Sequence, residues 1–208
     1  MDSIIFDLDG TLWDSCESVK DSWNITLQKY PIITKKLTLE DIQSIMGLVV
    51  EDIGKKLFYE AGEDECVEIA KICCEEECAY IAKYGAHIYD GLQSVLEILS
   101  KEYKLFIVSN CQNGYIEAFF DYTGYGHYFT DYLCSGMTGK QKGHNIQTII
   151  KKNNLTEPIY VGDTIGDFNG AKEANIPFVY ASYGFGMVED TISISNIKEL
   201  PYVLTNIR

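Results

Sequence analysis

The chain has 208 residues, 46% of them hydrophobic, which suits one folded domain or a core with a small insert. Its 31 acidic residues against 17 basic ones give a net charge of −14, which excludes nucleic acid and an anionic membrane surface as expected partners. No apolar run reaches the ~18 residues of a membrane span.

Ser3-Ile4-Ile5-Phe6 is apolar and rich in strand formers, and it runs straight into Asp7-Leu8-Asp9-Gly10-Thr11-Leu12. The pattern predicts a buried strand whose end opens a polar site. Two residues apart on a strand, Asp7 and Asp9 would point the same way. Two such carboxylates repel unless held together, and a hard cation such as Mg²⁺, which takes oxygen ligands, is the simplest agent for that.

Residues 15 to 84 then read as four helices with no strand. The first runs from Asp14 or Ser15 to about Lys29 and is stopped by Pro31. The second starts at Thr38 and ends at Gly47, the third covers Val50 to Ala61, and the fourth Asp64 to Lys83, closed by Gly85.

From there strands and helices alternate. Helices are predicted over residues 91–100, 113–122, 145–152 and 167–174. Strands are predicted at Lys104–Val108, Tyr128–Cys134, Pro158–Val161 and Ile176–Ala181. This is the pattern of parallel βαβ units, so the fold class is α/β with a doubly wound, Rossmann-like parallel sheet. Such a sheet places its site at the carboxyl ends of the strands, where Asp7, Ser109 and Asp163 should converge.

The seven cysteines are odd in number and lack a regular disulfide spacing. No secretory signal precedes the first strand, so reduced thiols and a cytoplasmic location are expected. Cys73, Cys74 and Cys78 have no His or second Cys pair to complete a metal set and read as packing residues. The only arginine is Arg208, which leaves no interior guanidinium fork for phosphate.

The string Asp7-x-Asp9-Gly10-Thr11-Leu12 after an N-terminal apolar strand resembles the first motif of the haloacid dehalogenase-like superfamily of phosphohydrolases. Val108-Ser109-Asn110 resembles the second motif. A Lys in Gly139-Lys140-Gln141-Lys142-Gly143-His144 resembles the third. Lys142, directly before Gly143 and the helix, is preferred over Lys140, and His144 reads as a surface residue. Gly162-Asp163-Thr164-Ile165-Gly166-Asp167 resembles the fourth motif. The helical block resembles the small cap of the phosphoglycolate phosphatase and β-phosphoglucomutase branch. Residues 1–14 and 85–208 would then form the core and 15–84 the inserted cap.

The resemblance implies a mechanism. Asp7 would be the nucleophile that forms an aspartyl phosphate, and Asp9 the general acid and base. Thr11, Ser109, Asn110 and Lys142 would bind phosphate, while Asp7, Asp9, Asp163 and Asp167 would gather around Mg²⁺, with Asp163 as a direct ligand and Asp167 orienting a bound water or the Lys. Haloacid dehalogenases proper lack the second Asp, so the implied substrate is a small phosphorylated metabolite. The implied reaction is phosphoglycolate phosphatase-like hydrolysis of a monoester, by a monomer or weak dimer. The leaving group stays open among phosphoglycolate, sugar phosphates, nucleoside monophosphates and pyrophosphate. A β-phosphoglucomutase-like mutase would need cationic phosphate recognition in the cap, which has no arginine and only scattered lysines. A receiver-type signalling domain does not fit the Asp-x-Asp-Gly-Thr spacing or the insert. A non-catalytic binding or regulatory protein on the same fold would not need all four motifs.

Overall fold

Ser3–Phe6 forms β1, and all four of its residues are buried, as in a strand covered on both faces. This computed structural model describes residues 1–207. After β1 come β2 (Trp13–Asp14), α1 (Cys16–Thr26), α2 (Leu39–Gln43), α3 (Val50–Leu57), α4 (Glu63–Tyr84) and β3 (His87–Ile88). The second half holds α5 (Leu92–Leu99), β4 (Lys104–Ser109), α6 (Tyr115–Thr123), β5 (Phe129–Cys134), α7 (Ser135–Thr138) and α8 (Lys142–Asn153). It closes with β6 (Pro158–Gly162), α9 (Ile165–Glu173), β7 (Phe178–Ala181), β8 (Ser193–Ile194) and α10 (Leu200–Asn206).

The main sheet has the order β5-β4-β1-β6-β7-β8, and every pairing in it is parallel. Strand alternation divides the core. Ile4 and Phe6 join the buried cluster that includes Leu96 of α5 and Phe119 of α6. Ile5, flanked in register by Phe106 and Tyr160, belongs to the opposite cluster with Ile146 of α8 and Ala171 of α9. Helices therefore cover both faces, and the fold is the doubly wound α/β class. The chain works outward from β1 through β4 to β5, then returns to the other side of β1 at β6. That reversal opens a crevice at the carboxyl end of β1.

The helical segment begins after β2 and ends before β3. These two short strands pair antiparallel, Trp13 opposite Ile88 and Asp14 opposite His87, so the segment leaves and rejoins the sheet through one two-stranded ribbon. Two-residue strands carry no readable period, and the sequence does not predict either one. Within the segment α4 packs on α1 and α3, and it also packs on α6 outside it. Cys66, Cys73 and Cys74 on α4 are buried, acting as small apolar contacts. Two helices are shorter than expected. Thr38 and Asp41 cap α2 reciprocally, but it ends at Gln43 rather than Gly47. The third ends at Leu57 because Phe58 leaves helical geometry and buries its ring beside Trp23, centroids 5.9 Å apart. The terminal β8 and α10 are likewise additions to the expected elements. Among the described residues no helix is long and apolar enough to cross a membrane.

The ribbon is seated on aromatic packing. Trp13 is fully buried, with Phe119 edge-on at 4.9 Å and Tyr115 at 6.1 Å. Truncating a fully buried aromatic removes its transfer energy and leaves a cavity. Phe119→Ala should therefore lower stability by about 3–5 kcal/mol, read as a fall in the urea midpoint. An unchanged midpoint would show that this contact does not support the fold.

Candidate active site

Asp7 follows β1 directly, and its N–H donates to Val161 O of β6 at 2.8 Å, so the residue is pinned as the last rung of the ladder. Its side chain is buried, and Lys142 Nζ lies 2.9 Å from its Oδ1. Lys142 is the first residue of α8, which starts three residues earlier than the sequence suggested. The same ammonium pairs with Asp167 Oδ1. Lys140, by contrast, is exposed, as is His144.

Asp167 is held by local sequence. Thr164 caps α9 and Asp167 is its third residue, so the two form a reciprocal capping box. Asp167 Oδ2 accepts from the N–H groups of Asp163 (3.2 Å) and Thr164 (2.8 Å) and from Thr164 Oγ1. Tyr160 adds its hydroxyl, which donates to Val108 O at 2.7 Å and approaches Asp167 Oδ1 at 3.3 Å. With both oxygens occupied, Asp167 orients Lys142.

Asp163, at the end of β6, is fully buried. Its Oδ2 accepts from Phe185 N–H at 2.7 Å, and its Oδ1 is buried with no hydrogen-bond partner. Two glycines make room for it. A Cβ on Gly10, which has φ +79°, would stand 2.1 Å from Asp163 Oδ2, and one on Gly184 would stand 2.3 Å from Asp163 Cβ. Oxygen atoms of Asp7, Asp163 and Asp167 lie within 4.8 Å of one another. Burial and mutual repulsion push Asp7 up to about 7 and Asp163 up to about 8, with Lys142 pulling both back.

The carboxylate of Asp9, expected beside the other acids, lies outside this cluster. The chain bends at Leu8 and turns through Gly10, so strand alternation stops applying after Asp7. Asp9 Oδ1 instead accepts from Trp13 Nε1 (3.0 Å), Ser15 Oγ (2.5 Å) and Tyr115 OH (2.9 Å). Burial pushes its carboxyl up to about 6 against these three donors.

Asp7 and Asp9 line one cavity of about 60 Å³, far below the ~300–1,000 Å³ of drug-sized pockets. Ser109 and Asn110 are on its wall, at the end of β4. Asn110 Nδ2 donates to Gly47 O at 2.9 Å, and its Oδ1 accepts from Ser135 Oγ at 3.0 Å. Its side chain therefore ties the core to the loop before α3. Thr11 is not on the cavity wall. It sits in the turn with its N–H donating to Leu8 O at 3.2 Å, and its buried hydroxyl has no partner. Thr11 thus helps shape the turn.

Sequence reasoning missed Tyr115, Ser15 and Trp13 around Asp9, Tyr160 beside Asp167, and the loop over Asp163. A tyrosine inside an apolar strand needs a partner for its hydroxyl, and that signal marks Tyr160. Gly184 and Gly186 follow β7 at the carboxyl edge of the sheet, which marks the loop.

A family model for haloacid dehalogenase-like hydrolases matches residues 4–181, and the chain belongs to that family. It is an enzyme of the hydrolase class. Among curated relatives, the phosphoglycolate phosphatase of Aquifex aeolicus is 28% identical, covering 98% of this chain and 96% of the relative. The phosphoglycolate phosphatase of Caulobacter vibrioides is 24% identical over 88% and 80%. A solved haloacid dehalogenase-like hydrolase from Streptococcus pneumoniae shares the fold at a TM-score of 0.81 and 24% identity, covering 98% of each chain.

Two of the carboxylates should differ in stability. Asp167→Ala leaves a buried ammonium half-paired and three donors unserved. Breaking a buried pair of this kind costs about 3–5 kcal/mol, visible in urea melts. Asp163→Asn removes a repelled charge whose one oxygen is unpartnered, so in chelator it should be neutral or stabilising. A larger loss for Asp163→Asn than for Asp167→Ala would contradict the assignment of roles.

Proposed function

We propose that this hydrolase is a Mg²⁺-dependent phosphomonoesterase that acts on small phosphate monoesters through an aspartyl phosphate on Asp7. The observation that carries the reading is Lys142 held between Asp7 and Asp167, opposite the unpartnered Oδ1 of Asp163. The names of the curated relatives support a small phosphate monoester as the substrate class.

The residues fit a hard divalent cation. Every available donor is a carboxylate oxygen, Asp163 Oδ1 has no other partner, and one ammonium does not neutralise three acids. Asp7 and Asp163 would hold the ion. When bound, it would supply positive charge to the phosphoryl oxygens.

Asp7 attacks phosphorus, forming a carboxylate-oxygen–phosphorus bond as the ester P–O bond breaks. Lys142 screens the charge between Asp7 and the phosphoryl group, and Ser109 with the Asn110 main chain offers donors to the remaining oxygens. The leaving alkoxide takes its proton from Asp9. Trp13, Ser15 and Tyr115 all bind Asp9 Oδ1, so Oδ2 is left to carry that proton. With its carboxyl raised to about 6, Asp9 keeps a protonated fraction near neutrality and, once ionised, takes the proton from the water that hydrolyses Asp7.

In this reading residues 15–84 are a cap on the core of residues 1–14 and 85–208. The β2–β3 ribbon is its hinge, and the Asn110–Gly47 bond is a latch on the closed side. Closure excludes water from the acyl phosphate until the alcohol has left. A bisphosphate mutase would need a second cationic phosphate site on the helical side, where the cavity wall carries Val19, Ile45, Leu48, Ile53 and Glu77.

Chelation should abolish phosphate release from a monoester panel, Mg²⁺ should restore it and Ca²⁺ should do so poorly, because Ca²⁺ prefers more ligands in looser geometry. Full activity in excess EDTA would refute the metal requirement. The two lysines give a second test. Lys142→Ala should lose ~10²–10³ in kcat, the usual cost of an electrostatic donor, while Lys140→Ala changes kcat little. The reverse ranking in steady-state kinetics would move the third motif by two residues.

A further inference from the structure

Two thiols that the hydrolysis above does not use flank the end of β4. Cys134 ends β5, in register with Ser109, and is buried. Cys111 lies two residues past Ser109, on the wall of the catalytic cavity and of an adjoining groove of about 660 Å³ that also holds Ser135 and Gly136. The main chains are pressed together there. Gly136 N–H donates to Cys111 O at 3.0 Å, and Cys134 Sγ donates to Gln112 O at 3.4 Å. A Cβ on Gly136 would collide with the main chain of Gln112 and Asn113. The two side chains meet, with the Cys111 S–H directed at the Cys134 sulfur and the Ser109 hydroxyl bonded to Cys111.

The pair divides the requirements of an oxidation site. Of the seven cysteines only Cys78 and Cys111 are partly exposed, so a small oxidant in the cavity reaches Cys111 and not Cys134. The Cys111 hydrogen bond holds the Cys134 thiol below the usual thiol range against its burial, and the N–H groups of Met137 and Gly136 assist. Burial drives the Cys111 thiol the other way. One proton is thus held between two sulfurs, and the first ionisation belongs to the pair. Cys134 can take that proton as Cys111 reacts. Cys78 of α4 is pushed up to about 12 by burial and stays protonated near neutrality.

We propose that Cys111 and Cys134 form an oxidation site: hydrogen peroxide entering the cavity converts Cys111 to a sulfenic acid, Cys134 condenses with it to a disulfide, and the new bond displaces the Ser109–Asn110 turn and switches hydrolysis off. The loss of hydrolysis rests on the phosphomonoesterase reading; the disulfide does not. In the first step Cys134 accepts the Cys111 proton and the Cys111 sulfur attacks one peroxide oxygen. The O–O bond breaks, and the departing hydroxide takes the proton from Cys134 and leaves as water. In the second the Cys134 thiolate attacks Cys111 Sγ, the S–O bond breaks, and hydroxide leaves. The two sulfurs lose two electrons in all, and peroxide gains them. A covalent S–S bond draws two sulfurs closer than any thiol contact by more than ~1 Å. Cys134 sits in the sheet, so the movement falls on the turn. That turn carries Ser109 and Asn110, and through Gln112 Nε2 it also holds Glu77 Oε1 at 2.5 Å.

Cleavage after lysine places Cys111 and Cys134, and no other cysteine, in one peptide of residues 105–140. After the native protein is treated with peroxide, then alkylated and digested, that peptide should carry no alkyl group and be two hydrogens lighter. Phosphate release from a monoester with Mg²⁺ should fall ~10²-fold in kcat in step with it, the usual cost of a 1 Å misplacement, and a dithiol should restore both. In Cys134→Ser the sulfenic acid should persist on Cys111 and be captured by dimedone. The wild-type peptide mass does not depend on that variant folding. Alkylation of both cysteines after peroxide, or a link from this peptide to residues 72–83, which carry Cys78, overturns the oxidation site. A Cys111–Cys134 disulfide with unchanged kcat overturns its control of the turn. If the reduced protein releases phosphate from no monoester, the phosphomonoesterase reading fails, and the peptide mass still decides the oxidation site.

Discussion

Three buried carboxylates crowd the point where the sheet reverses direction, and one buried ammonium pairs with two of them. Lys142 forms ion pairs with Asp7 and Asp167, while Oδ1 of Asp7 and Oδ1 of Asp163 both lack a hydrogen-bond partner. Moving such charges out of water costs several kcal/mol per ion, and attraction repays this only where geometry and hydrogen bonding are good. The surroundings meet that condition unevenly. Asp167 has the capping box of α9 and the Tyr160 hydroxyl, so it is a structural anion. Asp163 has one backbone donor and two glycines that let the chain approach it. It is left under-compensated in the place where a divalent cation would have most effect. Acidity elsewhere in the chain deepens the imbalance, since a net charge of −14 offers no long-range relief.

Much of this arrangement is legible in the amino-acid sequence. The apolar strands read as parallel because they alternate with helices, and the sheet is parallel throughout. The carboxyl-end rule brings Asp7, Ser109 and Asp163 to one crevice, and Lys142 lies where the third motif implies. The failures have physical causes. Strand alternation does not extend past Asp7, because the bend at Leu8 and the positive φ of Gly10 end it, so Asp9 faces Tyr115 and not the acids. Glu77 is invisible in the sequence because α4 carries many glutamates, and only packing distinguishes the buried one from exposed neighbours such as Glu75. The β2–β3 ribbon joins residues more than seventy positions apart through two rungs, which no local pattern encodes.

The helical segment and the sheet meet at few polar points, and those points involve the same loops that carry the chemistry. Asn110 stands next to Ser109 and reaches Gly47, while Gln112 stands two residues on and reaches Glu77. The turn after β4 therefore touches both sides of the cavity. A shift of the helical segment that broke the Gly47 and Glu77 contacts would free the side chains of Asn110 and Gln112 without moving β4 itself. Two neutral amides suit such a seam, because each can exchange its partner for water at little cost, whereas a buried ion pair parted in the same way would leave a stranded charge. The Asp7–Lys142–Asp167 ion pairs thus lie within the sheet's own loops, and exchangeable hydrogen bonds from neutral amides are placed where the two parts meet.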